Sequence, residues 1–136
     1  MARPNIAGSS AGIKSVSADT TIQNADSGKT IVIDGSAVGN LTLTLPATAD
    51  SKGIELDFIL GVANNAATEV LITSDTNIVG AVSIWATGIE TAIASGASRG
   101  FGDASKAGSY MNLVCDGTQW LIKSASSDVA LVAAFS

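Results

Sequence analysis

The chain has 136 residues, 46% hydrophobic, 4% aromatic and 14% charged, with no histidine, one cysteine and a formal net charge of −5. That length suits one domain with a single core, and so much aliphatic content with so little charge excludes a disordered polyelectrolyte. A lone cysteine excludes a disulfide scaffold, and seven scattered basic residues do not form the clustered basic face that nucleic acid demands.

Residues 1–18 form a stretch rich in Ala, Gly and Ser with isolated Ile6, Ile13 and Val16 and no sustained period. This composition predicts an extended N-terminal arm that lies against another surface. The first residues lack the apolar run of a signal peptide, so none is expected. No apolar run approaches the ~20 residues of a membrane helix.

From about residue 19, short strands separated by turn residues are expected. Thr30-Ile31-Val32-Ile33 is a compact β-branched run between Ser27-Gly28 and Asp34-Gly35. Leu41-Thr42-Leu43-Thr44-Leu45 alternates strictly and ends at Pro46, which predicts a half-buried strand with its leucines inward. Ile54, Leu56, Phe58 and Leu60 make the next apolar row, opposite Glu55 and Asp57. Residues 62–68 read as a connection and Glu69 to Thr73 as a strand. Residues 78–85 and 88–94 are weaker strand candidates, and Ser95 to Gly108 reads as a Gly/Ala/Ser loop.

The last hairpin carries the strongest local signal. Asp116-Gly117 predicts a two-residue turn that sets Cys115 opposite Thr118, Leu113 opposite Trp120 and Met111 opposite Ile122. Trp120 then faces the core. Asp128 to Phe135 is short and nearly continuous in apolar residues, so it is no amphipathic helix. It reads equally as a last strand or as a tail packed on a partner. The expected fold is all-β, a jelly-roll-like antiparallel β-sandwich. Its domain spans 19–126, with the arm at 1–18 and the tail or last strand at 127–136.

Each motif fragment fails its context. Ser27-Gly28-Lys29-Thr30 resembles the end of a phosphate loop, but Gln23 stands where a glycine is required and a strand follows instead of a helix. Gly8-Ser9-Ser10-Ala11-Gly12 spells a nucleophile elbow with no strand before it and no histidine to act as base. Asn40-Leu41-Thr42 is a sequon whose simplest role is a turn asparagine. Glu55 and Asp57 project from one strand face, where a further set of oxygens would be needed for calcium. The simpler reading is a solvated face. Cys115 lies on the apolar row and lacks a histidine partner, so a buried structural thiol is expected. The sequence thus predicts no catalytic residues, no metal and no cofactor.

Three segments carry a resemblance: Leu41-Thr-Leu-Thr-Leu-Pro-Ala47, Gly53-Ile-Glu-Leu-Asp-Phe58 and Met111-Asn-Leu-Val-Cys-Asp-Gly-Thr-Gln-Trp120. Over about residues 19–123 the chain resembles head decoration, or cement, proteins of tailed-phage virions and related β-rich fibre domains. The resemblance implies a homotrimer on the outside of a capsid that clamps adjacent capsomers, with the major capsid protein as partner. Interface residues would then be Arg3, Ile6 and Ile13 in the arm and Val129, Leu131, Val132 and Phe135 in the tail. A second reading is a carbohydrate- or receptor-binding module of a tail fibre, for which Trp85, Tyr110 and Phe101 are the available aromatics.

Overall fold

A computed structural model describes residues 12–36, 39–65, 68–81, 83–84, 94–103 and 105–127. Its strands are β1 (Ile13–Val16), β2 (Thr20–Thr21), β3 (Thr30–Asp34), β4 (Leu41–Thr44) and β5 (Glu55–Val62). They are followed by β6 (Val70–Gly80), β7 (Ser83–Ile84), β8 (Ala94–Phe101), β9 (Tyr110–Cys115) and β10 (Trp120–Ser127). Short 3-10 turns at Asn24–Asp26 and Thr48–Asp50 join the strands.

One sheet runs in the order β1-β3-β5-β9-β10-β6-β4-β2, with β7 beside β10 and β8 beside β6. It bends into a nearly closed, barrel-like sandwich. The all-β sandwich expected from strand spacing is therefore present.

The direction of pairing is the main correction. β1–β3, β3–β5, β2–β4, β4–β6, β6–β10 and β7–β10 are parallel, and only β5–β9, β9–β10 and β6–β8 are antiparallel. Successive strands alternate between two flanks, so a strand's neighbour is usually two elements away in sequence. Parallel strands need a crossover between them, and here the crossover is a strand of the opposite flank instead of a helix. Strand length and alternation carry no information about direction, which is why the sequence suggested antiparallel pairing.

The core lies between the flanks. Ile31, Ile33, Leu56, Phe58 and Leu60 from one side meet Leu41, Leu43, Val70 and Ile72 from the other, closed by Met111, Leu113 and Trp120. The alternation of β4 and β5 points their leucines and Phe58 inward as expected. Burying such side chains stabilises the fold by about 1.5–3 kcal/mol each.

Three segments depart from expectation. Residues 13–16, expected in the arm, form β1 and pair with Thr30 to Ile33. The strand after residue 69 runs on to Gly80, with an irregularity between Thr73 and Ile78. The run expected as a loop contains β8, held by pairing along β6, because a neighbouring strand can impose extension on residues of low strand propensity.

The hairpin register also shifts. Trp120 pairs with Cys115 and Ile122 with Leu113, and an irregularity before Ser124 sets Ala125 opposite Met111. Asp116 causes the longer loop: its Oδ1 accepts from the N–H groups of Thr118 and Gln119, each at 2.8 Å. The shift moves the pairing by an even number of residues, so the facing is kept and Trp120 stays fully buried.

Candidate interaction surface

Among the described residues, the sheet's outward face holds an open groove of about 330 Å³ lined by Ser15, Val16, Ser17, Val32, Ile33, Asp34, Gly61 and Val62. It lies where β1, β3 and β5 end side by side. Register explains its make-up: Ser15 pairs with Val32 and Val32 with Ile59, while Asp34 is opposite Val62 after an irregularity in β5. Ile13, Ser15 and Ser17 alternate with Lys14 and Val16, and all three project outward. Ile13 is 58% exposed and Val62 45%, the two large hydrophobics left exposed among the described residues.

Gly61 keeps the groove open. A Cβ there would lie 2.6 Å from Val32 Cγ1, so any side chain displaces the floor. The far lip is fixed by Asn64, which is buried. Its Nδ2 donates to the carbonyls of Phe101 (3.1 Å) and Gly102 (3.0 Å). Its backbone N–H donates to Ser105, and Gly35 N–H donates to the Val62 carbonyl at 3.1 Å.

The β1 lip is fixed by charge. Asp26 Oδ2 accepts from Lys14 Nζ at 2.8 Å and from the Gln23 N–H at 3.0 Å, while Oδ1 accepts from Lys29 Nζ at 3.1 Å. Burial alone would raise the Asp26 pKa. The bonds from Lys14, Gln23 and Lys29 outweigh it and hold the carboxyl at about 2. Lys29 of the phosphate-loop fragment is thereby engaged as a structural cation.

Of the interface residues expected from sequence, the structure places Ile13 on this surface; Arg3, Ile6, Val129, Leu131, Val132 and Phe135 lie outside the described residues, as does Trp85. Phe101 is fully buried and cannot stack on a ligand, a correction to the second reading. Its phenyl ring is part of the core. Tyr110 is half-buried on the outer face.

Glu55 and Asp57 lie on the solvated face of β5, where Lys123 Nζ donates to Glu55 at 3.1 Å. Among the described residues no third His, Cys, Asp or Glu joins them. Asn40 Oδ1 accepts from the Glu69 N–H at 3.1 Å, a long-range bond that ties the entry of β4 to the entry of β6.

Cys115 is buried; its thiol donates to the Thr48 carbonyl at 3.5 Å and accepts from the Gly117 N–H at 3.4 Å. Burial pushes its pKa up, which disfavours the thiolate. Nearby, Asp75 is held below its ordinary pKa chiefly by the Thr48 hydroxyl, a bond that ties the β6 irregularity to the Thr48–Asp50 turn.

Sequence reasoning missed Val62, Gly61, Asp34 and Ser17 as a group. The available signal was Gly61 inside the Ile59-Leu60-Gly61-Val62 run, since a glycine within a strand marks close approach of other atoms. No family model matches the chain, and comparison with curated proteins and with solved structures finds no similar one.

Proposed function

We propose that the chain is a structural virion protein that decorates the outside of a tailed-phage capsid and stabilises the shell by clamping adjacent capsomers. In this reading it acts as a homotrimer, and its partner is the major capsid protein. The observation that carries the reading is the groove lined by exposed Val62, on the same outer face as exposed Ile13 at the start of β1. A concave site that combines apolar and polar side chains is where a partner can seat. The resemblance carried by residues 41–47, 53–58 and 111–120 supplies the class of partner. A rigid aliphatic sandwich suits a protein whose task is mechanical.

The test is occupancy on purified heads that lack the protein. Heads are saturated with the wild-type chain, with a truncation lacking residues 1–11, and with Val62→Glu. The truncation stops at 11 because the Gly12 carbonyl accepts from Thr30 N–H at 2.8 Å and β1 follows directly. Both variants are expected to bind fewer copies per head and to protect less against heat. Heads that take up no wild-type chain would overturn the reading.

A further inference from the structure

The first strand, β1, ends the sheet order. The Gly12 carbonyl accepts from Thr30 N–H at 2.8 Å, and Lys14 and Val16 are in register with Ile31 and Ile33. In a parallel ladder alternate residues bond a given neighbour. Gly12, Lys14 and Val16 therefore turn their peptide groups toward β3, while Ile13 and Ser15 turn theirs to the open side.

Edge strands are usually protected by proline, a bulge or a free charge. Here the strand reads Ile-Lys-Ser-Val. The Lys14 ammonium is drawn to Asp26 at 2.8 Å, so among the described residues of β1 no free charge guards the edge. The outward side chains Ile13, Ser15 and Ser17 are neutral.

From this geometry we propose that a second copy of the chain docks here, its β1 pairing antiparallel with β1 about a twofold axis at Ser15. The arrangement is self-complementary, as an isologous contact must be. With Ser15 opposite its symmetry mate, Ile13 of each copy stands opposite Ser17 of the other. Ile13 is the most exposed large hydrophobic among the described residues. The pairing sets it at the rim of the partner's groove, beside Ser15, Ser17 and Val32.

One strand thus presents a projecting apolar side chain and, two and four residues on, the rim that receives it. Free peptide groups of Ile13 and Ser15 gain partners in the same step. This contact goes beyond the proposed decoration role. It links copies in pairs, so on a shell it would join neighbouring trimers.

The test uses the full chain in solution and needs no capsid. Across the axis the Ser15 Cα atoms would sit about 5.5 Å apart, as in a hydrogen-bonded antiparallel pair, within the range a disulfide spans. Ser15→Cys is expected to give disulfide-linked dimer under mild oxidation. Ser124→Cys, exposed on β10, should form no disulfide-linked dimer, and buried Cys115 does not compete.

Ser15→Pro removes an N–H that points to the open side, which an edge strand tolerates. Ile13→Glu removes the projecting side chain at an exposed position. Both are expected to keep the wild-type circular dichroism. Both should also lower the solution mass to half the wild-type value or less, because each twofold link joins two otherwise separate particles. Ser15→Cys cross-linking no faster than Ser124→Cys overturns the pairing, as do folded Ser15→Pro and Ile13→Glu with the wild-type mass. Because neither readout involves heads, loss of head binding alone bears on the decoration role and leaves the twofold contact standing.

Discussion

Val16 and Thr20 are four residues apart in sequence, yet they pair at opposite ends of the sheet: Val16 with Ile33 on β3, and Thr20 with Leu43 on β4. The segment 17–19 therefore crosses from one sheet edge to the other and draws the sandwich nearly shut. Asp19 secures the crossing, its Oδ1 accepting from the Thr42 N–H at 2.8 Å. Ile22 follows, fully buried, with its N–H donating to the Thr44 carbonyl at 2.8 Å. The groove and its open edge strand are thus built on the part of the chain that closes the fold.

Asp26 holds β1 to the body, so acid should loosen this region first. Its carboxyl titrates at about 2 in the folded chain against the ordinary 3.8. The resulting stability, about 2 kcal/mol, is present above the unfolded value and is lost as pH falls from about 4 toward 2. Asp26→Asn should lose about that much at pH 7 and match the wild type near pH 2. Urea unfolding at the two pH values measures the difference; an equal gap at both would contradict the assignment.

Gly35 and Asn64 meet without room for a side chain. A Cβ on Gly35 would collide with Asn64 Oδ1 and lie 3.0 Å from its Cα. Gly35→Ala is expected to destabilise by about 1–3 kcal/mol, the usual cost of overpacking, and to disturb the groove's far lip. Denaturant midpoints report the first effect. Faster amide exchange at Val62 and Asn64 reports the second.

Core and surface apolar residues should separate cleanly. Trp120 and Leu43 are fully buried. Truncation to alanine is expected to cost about 3–5 kcal/mol for Trp120 and about 2–5 kcal/mol for Leu43. Ile13→Ala and Val62→Ala should stay within about 0.5 kcal/mol of wild type, because their side chains already stand in water. A large loss at Ile13 or Val62, read in chain held monomeric by dilution, would show that they belong to the core.

Much of this separation was legible in the sequence. Leu41, Leu43 and Leu45 alternate with threonines, and Leu56, Phe58 and Leu60 alternate with charges and Ile59. Period-2 burial follows from the strand itself. Trp120 was oriented correctly although its partner was not, because Asp116 lengthens the loop while keeping the parity. What stayed hidden depends on neighbours distant in sequence. The direction of β3 relative to β5 is set by the crossover through β4. The extension of Ala94–Phe101 is set by β6. The groove needs Ser15, Val32 and Gly61 to arrive together from three strands, and no local pattern announces that meeting.

Cys115 should behave as a core residue. The residue is 1% exposed, and burial raises its pKa, so the reactive thiolate is scarce at neutral pH. Reaction with a disulfide reagent is expected only at the rate of unfolding, and stoichiometrically in denaturant. Complete reaction within seconds in native buffer would contradict this placement.

The proposed role places this protein on the outside of a capsid. Electron imaging of purified heads, before and after incubation with saturating wild-type chain, tests it most directly. A decoration protein should add density on the outer surface where adjacent capsomers meet, weakened by Val62→Glu. Heads that show no added density at saturating protein would contradict it.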